Sequence, residues 1–174
     1  SQVKKIVEKE LGKPLDKLFR SFDKKPYASA SIAQVHKAVL KNGKKVAVKV
    51  RRPNVEEIIN EDLDILFFIA RHLEHRFPKI EQYHPVDVIK EFAIWTRKEL
   101  NFNLEARHAN RIREEMQDNP NVKIPIIYEK LTSHRVLTME FIDGVNIDDL
   151  KGLKKFRVNK KKIAETYFLA VLEQ

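Results

Sequence analysis

Residues 32–51 read IAQVHKAVLKNGKKVAVKVR. Two β-like runs, 32–40 and 44–51, lie on either side of Lys41-Asn42-Gly43. Asn-Gly between two such runs is the strongest short-range signal for a β-hairpin, because a tight turn needs backbone conformations that these two residues tolerate. The segment therefore predicts two antiparallel strands joined by a short turn.

The second run contains Val46-Ala47-Val48-Lys49-Val50. Alternation in a strand places the three valines on one face and Ala47 with Lys49 on the other. A small residue beside a lysine leaves room for a flat ligand, and the ammonium could reach phosphate oxygens as the strand lysine of kinases does. The alternative is a lysine on the solvent side of an edge strand, which the alternation alone slightly favours.

Helices are predicted on both sides of the hairpin. Apolar residues recur at helical spacing over 1–22, where Gly12 and Pro14 split the helix into two pieces. The other predicted elements are an amphipathic helix at 55–77, a helix opened by Pro85 at 86–116 and broken near Asn101, strands at 124–129 and 135–142, a turn at Asp143-Gly144, a short helix near Asp148 and a final helix at 160–174. Sheet and helices lie in separate blocks, which predicts an α+β fold.

A helix glutamate could pair with Lys49, as kinases require to hold the strand lysine in place. On a regular helix Glu99 shares an apolar face with Phe92 and Trp95, where an unpaired charge is costly. Glu105 lies about a third of a turn away, and a solvated position fits Glu105 better than Glu99. A break at Asn101 would remove the geometry behind this preference, so both candidates stay open.

Composition excludes several classes of protein. Of the 174 residues, 43% are hydrophobic, which is enough for a core. We expect Trp95 and the Phe67-Phe68 pair to lie in that core. The charged residues make up 34%, which argues against a membrane-embedded protein. No cysteine is present, and the six histidines form no metal-ligand pattern. We expect a chain that is not secreted and is cytoplasmic or peripheral to the inner face of a membrane. The net charge of +9 comes without an aromatic-interleaved basic strand, so no nucleic-acid partner is expected.

The segment PYASASIAQVH, residues 26–36, resembles the alanine-rich loop of the UbiB family of atypical kinases, which stands where other protein kinases have Gly-x-Gly-x-x-Gly. The chain has four glycines and none between 13 and 42, so a glycine-rich phosphate loop is excluded. Backbone N–H groups and the hydroxyls of Ser29 and Ser31 could contact phosphates instead. Three more segments are similar to the family in order and spacing: VAVKVRRP at 46–53, ELNFNLEA at 99–106 and MEFIDG at 139–144.

This resemblance implies a protein-kinase-like N-lobe with a small antiparallel sheet over 1–142, which includes a helical N-terminal extension (1–22) and a helical insert (about 54–84). Residues 143–174 would be the first helices of a C-lobe, truncated before the catalytic loop. The implied cofactors are ATP (or ADP) and Mg²⁺, with Lys49 on the phosphates and Glu105 orienting Lys49, while Glu99 belongs to a Glu-x-Asp feature of the family. The other implied nucleotide contacts are Ala28, Ser29, Ala30 and Ser31 over the phosphates, and Ala47, Met139, Glu140, Phe141 and Ile142 around adenine.

The implied activity is ATP-Mg binding with phosphoryl transfer or hydrolysis in the full protein, linked to isoprenoid-quinone (ubiquinone) biosynthesis. The implied partners are the nucleotide, a lipid membrane surface or quinone-pathway proteins, and a second copy of the fragment. The chain departs from the family at Asn101, where aspartate is usual, and it lacks the Lys-x-Gly-Gln segment. It also contains no His-x-Asp catalytic loop and no Asp-Phe-Gly, so the 174 residues by themselves are expected to be inactive.

The alternative from another class is a non-catalytic basic helical module that docks on an anionic membrane or an acidic protein. The charge of +9 and the amphipathic helix at 55–77 agree with it. It does not explain the VAVKV strand or the Asn-Gly hairpin, which is why the kinase-like interpretation is preferred.

Overall fold

The computed structural model of the chain describes residues 2–156 and 159–172. Its strands form one antiparallel sheet in the order β1-β3-β4-β5, with β2 also paired to β3. The strands are β1 (Phe19–Phe22), β2 (Ala28–Ser29), β3 (Ala33–Leu40), β4 (Lys45–Arg51) and β5 (Val136–Glu140). A small antiparallel sheet with helices in separate blocks confirms the predicted α+β class.

The predicted hairpin is strands β3 and β4. Lys37 lies opposite Ala47, and Val35 lies opposite Lys49. Gly43 in the turn has a φ of 85°, a conformation that residues with a side chain rarely adopt. A glycine at position 43 therefore lets the chain make the tight turn that the pairing of β3 with β4 requires.

Helices occupy both sides of this sheet. They are α1 (Gln2–Leu11), α2 (Leu15–Leu18), α3 (Val55–Arg76), α4 (Pro78–Glu81), α5 (Pro85–Glu99), α6 (Phe102–Glu115), α7 (Leu150–Lys155) and α8 (Lys160–Leu172). The start at Pro85 and the break at Asn101 are confirmed, and the side chain of Asn101 accepts a hydrogen bond from the Asn103 N–H as the N-cap of α6. The last two residues of the helix predicted at 160–174 lie outside the described residues.

The helix predicted over 1–22 is wrong at its end, because residues 19–22 form strand β1. Phe19 and Phe22 are three residues apart, which is typical of one helix face. A β-bulge between Phe19 and Ser21 places both rings on the core side of a strand instead. The backbone of β1 pairs with the edge of β3, a tertiary contact that overrides the local spacing.

Two other predicted elements also differ. The expected strand at 124–129 is reduced to an isolated bridge between Ile127 and Met139, followed by a short 3₁₀ helix at Glu129–Leu131. The turn expected at Asp143-Gly144 lies instead at Ile147-Asp148, just before α7. Among the described residues, no helix is long and apolar enough to cross a membrane.

Two clusters of buried residues lie on opposite faces of the sheet in the described part of the chain. The first lies between β4 and α1 and includes Val7, Phe19, Val46, Val48 and Val50. The second lies between β5 and α6 and includes Ala33, Phe102, Ala106, Ile127 and Leu137. The prediction that Trp95 and Phe68 belong to the core is wrong, because they are 62% and 67% exposed. The second cluster fixes α6 against the sheet face that carries Lys49.

Candidate functional site

The side chain of Lys49 projects from β4 toward α6, on the face opposite the three valines. Its ammonium donates to both carboxylate oxygens of Glu105, with Nζ to Oε1 at 2.8 Å and Nζ to Oε2 at 2.7 Å. The side chains are 22% and 42% exposed, so the pair lies at an opening and is not sealed in the core. A bidentate contact of this kind fixes the direction of the lysine ammonium.

The ring of Phe102 packs against the Lys49 side of this pair. The ammonium of Lys49 lies 4.7 Å from the centroid of the Phe102 ring, within the range of a cation–π contact. Phe102 is fully buried and is the first residue of α6, and Glu105 follows it within the first turn of the same helix. The buried ring therefore fixes the part of α6 that carries the glutamate.

Glu99 does not contact Lys49, although it lines the same cavity. The helical-wheel argument that favoured Glu99 fails because Trp95, on the same face of α5, is 62% exposed, so a charge on this face is not buried. Glu105 also lies in a separate helix, α6, so one wheel cannot relate the two glutamates. The cavity has a volume of about 600 Å³ and is lined by Lys49, Trp95, Lys98, Glu99, Asn101, Leu104, Glu105 and His108. Of the two glutamates that the sequence left open, the structure brings Glu105 to the lysine.

The alanine-rich segment forms a tight turn between β2 and β3, where the Ala30 N–H donates to the Ala33 carbonyl at 2.8 Å. Ala28, Ser29, Ala30 and Ser31 are all exposed. Ala28 pairs with Val35, and Val35 pairs with Lys49, so the turn begins two strands from the lysine. Two strand spacings are about 10 Å, a distance that an extended polyphosphate can span.

Arg52, which directly follows β4, holds this turn in place. Its Nε donates to the Ala30 carbonyl at 3.1 Å, and its backbone N–H donates to the Ile32 carbonyl at 2.9 Å. Two hydrogen bonds from one residue fix the turn relative to the strand that carries Lys49. No sequence signal predicts this contact beyond the position of Arg52 directly after the strand.

The segment from Met139 to Ile142 lies where β5 leaves the sheet. Ala47 is paired with Met139 on one side and Lys37 on the other, so a small side chain lies in the middle of this row of the sheet. The N–H of Glu140 donates to the Ile126 carbonyl, and the N–H of Phe141 donates to the Lys45 carbonyl. Beyond these sheet contacts, Ile142 is exposed.

The Glu140 carboxylate accepts from the Lys123 ammonium and from the backbone N–H of Ile126. The hydrogen bond from Lys123 is the main reason that the pKa of Glu140 lies below its ordinary value, and the Ile126 N–H adds to it. The Glu140 carboxylate is therefore negatively charged and is already paired with Lys123 and the Ile126 N–H.

A comparison with known families covers the whole chain. The model of the ABC1 atypical kinase-like domain matches residues 1–174. The chain belongs to this ABC1 family. The predicted resemblance to atypical kinases is thereby confirmed, and so is the kinase-like α+β fold.

Relatives within the ABC1 family include proteins named probable protein kinase UbiB. The one from Marinobacter nauticus is 40% identical over 164 residues, which are 94% of this chain and 30% of that protein. The one from Shewanella denitrificans is 42% identical over 163 residues, or 93% of this chain and 30% of that protein. The chain therefore spans about 30% of the length of these curated relatives.

A solved structure gives the same assignment of fold. Rv3197 from Mycobacterium tuberculosis, solved in complex with erythromycin, is 31% identical to this chain, with a TM-score of 0.70. The match covers 83% of this chain and 36% of that one.

Two features of this ABC1 domain were missed from the sequence. The Lys37 ammonium lies 3.9 Å from the centroid of the Tyr27 ring and 4.4 Å from that of Phe141, so it joins the alanine-rich segment to the end of β5. Arg51 is 2% exposed and contacts three other elements. Strand alternation could have found both residues, because Lys37 lies opposite Ala47 and Arg51 follows Lys49 by two positions.

Proposed function

We propose that this domain binds ATP (or ADP) against the sheet face that carries Lys49, as the nucleotide-binding part of an ABC1-type kinase or ATPase. The observation that carries the proposal is the bidentate pair between Lys49 and Glu105 at an open cavity. A lysine on the kinase sheet, oriented by a helix glutamate, holds nucleotide phosphates. An exposed lysine with no function would gain little from a fixed direction.

In this proposal the adenine packs against Ala47 on the sheet face that carries Lys49. Ala47 lies between Lys37 and Met139, and a larger side chain in its place would fill the space that the adenine needs. The N–H groups of Glu140 and Phe141 already donate to the Ile126 and Lys45 carbonyls. The adenine edge would therefore be read by the Glu140 carbonyl and by the backbone of Ile142. The paired carboxylate of Glu140 has no part in this contact.

Lys49 would neutralise charge on the phosphates, and Ser29, Ser31 and the backbone of the alanine-rich turn would donate hydrogen bonds to them. ATP supplies the γ-phosphoryl group that the whole protein would transfer or hydrolyse. Among the described residues, no three or more His, Asp or Glu side chains lie together in a way that could hold a metal ion. We therefore assign none of the described residues to Mg²⁺.

The names of the relatives suggest the biological setting. Proteins named UbiB resemble this chain over more than nine-tenths of its length. We propose that the whole protein acts in isoprenoid-quinone biosynthesis. The 174 residues alone, which contain neither a His-x-Asp loop nor Asp-Phe-Gly, would bind nucleotide weakly and show no turnover.

The proposal is tested in the full-length protein with Lys49→Ala. We expect nucleotide affinity, measured by titration with a fluorescent ATP analogue, to fall by about tenfold or more, and ATP turnover to fall further. The melting temperature should fall by only a few degrees, because the change removes one partly screened ion pair and leaves the buried core in place. Lys44→Ala, in the exposed hairpin turn, is the matched control. Wild-type binding and turnover in a normally melting Lys49→Ala protein would contradict the proposal.

A further inference from the structure

The guanidinium of Arg51 is buried where three elements meet. One nitrogen, Nη1, donates to the Leu100 carbonyl at 2.9 Å and lies 3.4 Å from Nδ1 of His134. The other, Nη2, donates to Oε2 of Glu56 at 2.7 Å. Arg51 therefore connects the end of β4 to the start of α3, the end of α5 and the loop before β5.

The contact to Leu100 lies at the junction that determines the position of Glu105. Leu100 and Asn101 separate α5 from α6, and the N–H of Phe102 donates to the His134 carbonyl at 3.2 Å. Each residue of helix turns the side-chain direction by about 100°. A shift of one residue in the start of α6 would therefore move the Glu105 carboxylate away from the lysine.

A guanidinium suits this position better than an ammonium. It is planar and presents fixed donors in several directions, so one side chain can bind a carbonyl and a carboxylate at once. Burial lowers the pKa of Arg51, and the Glu56 carboxylate acts against this by stabilising the charged form. Glu56 is half exposed, so it can be substituted without opening a cavity in the core, and its substitution would remove one hydrogen-bond partner of the guanidinium.

We propose that Arg51 is a positioning residue, which sets Glu105 against Lys49 by clamping the Leu100 carbonyl, with Glu56 holding the guanidinium in place. A purely structural role is the alternative, because a buried cation also joins elements for stability alone. The two differ in what they predict for Lys49, which Arg51 does not touch. The expected effect of Arg51 on activity rests on the proposed function, whereas its expected effect on the contact between Lys49 and Glu105 does not.

The test uses the full-length protein with Arg51→Lys and, separately, Glu56→Gln. The lysines are dimethylated with ¹³C, which keeps their charge, and the Lys49 signal is identified by its loss in Lys49→Arg. We expect both variants to shift the Lys49 signal toward its position in Glu105→Gln. Arg111→Lys, in an exposed ion pair on α6, is the matched control and should leave the signal in place.

Activity gives the second measurement. Arg51→Lys should lower kcat/KM for ATP by about tenfold, because a misplacement of about 1 Å can cost about a hundredfold and the shift expected here is smaller. In a Glu105→Gln background the same change should cause almost no further loss, since the contact it protects is already gone. A structural role predicts losses that multiply.

An unshifted Lys49 signal in Arg51→Lys and Glu56→Gln, or losses that multiply with Glu105→Gln, would overturn the assignment. If Arg51→Lys does not fold, Glu56→Gln decides by the same two measurements. A wild-type protein that binds no nucleotide would refute the proposed function and leave the NMR test of Arg51 intact.

Discussion

The contact between Lys49 and Glu105 predicts a measurable coupling between the two residues. The perturbation is a double-mutant cycle with Lys49→Met and Glu105→Gln, each alone and together. These changes remove the charges and keep most of the side-chain volume. Glu99→Gln, combined with the same lysine change, is the matched control, because Glu99 lines the same cavity without contacting Lys49.

The magnitude follows from the geometry. At 2.7 Å and the effective dielectric constant of about 20 that suits partly buried pairs, the Coulomb attraction alone is about 6 kcal/mol. Loss of hydration and of side-chain freedom offsets most of it, and the exposure of 22% and 42% lets water screen the rest. Fully exposed pairs retain about 0.2–1 kcal/mol. For a bidentate pair at the edge of a cavity we expect a coupling free energy of about 1 kcal/mol.

The assay is urea unfolding of the wild type, the single variants and the double variants at neutral pH and low salt, without nucleotide. The coupling between Lys49 and Glu105 should fall as salt is added, because screening weakens a partly exposed pair. The cycle with Glu99 should give about 0.3 kcal/mol or less, the usual error of additivity. Coupling of that small size for Glu105, or equal coupling for both glutamates, would refute the geometry described here.

Three further predictions concern stability. The pKa of Glu140 lies below its ordinary value, so its pair with Lys123 stabilises the fold above the unfolded-state pKa, and this contribution is lost as the pH falls through the folded-state pKa. Lys123→Met should raise the pKa of Glu140, as followed by carboxyl ¹³C NMR against pH, and an unchanged titration would contradict the pairing. Phe102→Ala should cost about 3–5 kcal/mol in urea unfolding, because a fully buried ring leaves a cavity, and a cost well under half of that would mean that the ring is not packed as described. Asn101→Ala should cost about 1 kcal/mol through loss of the N-cap of α6, whereas Asn101→Asp should keep the cap, and equal stability of the two variants would argue against it.

Local sequence signals determined the elements whose structure depends on a few neighbouring residues. Asn42-Gly43 and the alternation of β4 gave the hairpin, and Pro85 gave the start of α5. The break at Asn101 was also visible, because an asparagine caps the next helix with its own side chain. The candidate lysine was found in the same way, since strand alternation alone separates Lys49 from the valines.

Long-range pairing decided what these local signals could not. Phe19 and Phe22 have helical spacing, yet they form a strand because the edge of β3 offers backbone partners and a bulge turns both rings inward. Trp95 is predicted to lie in the core because it is large and apolar and shares a helix face with other apolar residues. It is exposed because no other element of the described chain covers that face of α5.

The sequence could therefore name Lys49 and two possible partners, and the tertiary structure selected Glu105. The choice depends on where α6 begins relative to β4, which is determined by contacts of Leu100 and Phe102 with residues far away in the chain. Hydrophobic spacing within one helix contains no information about the position of that helix relative to a strand about 50 residues away. Only the packed structure sets that position, and with it the direction of the carboxylate that meets the lysine.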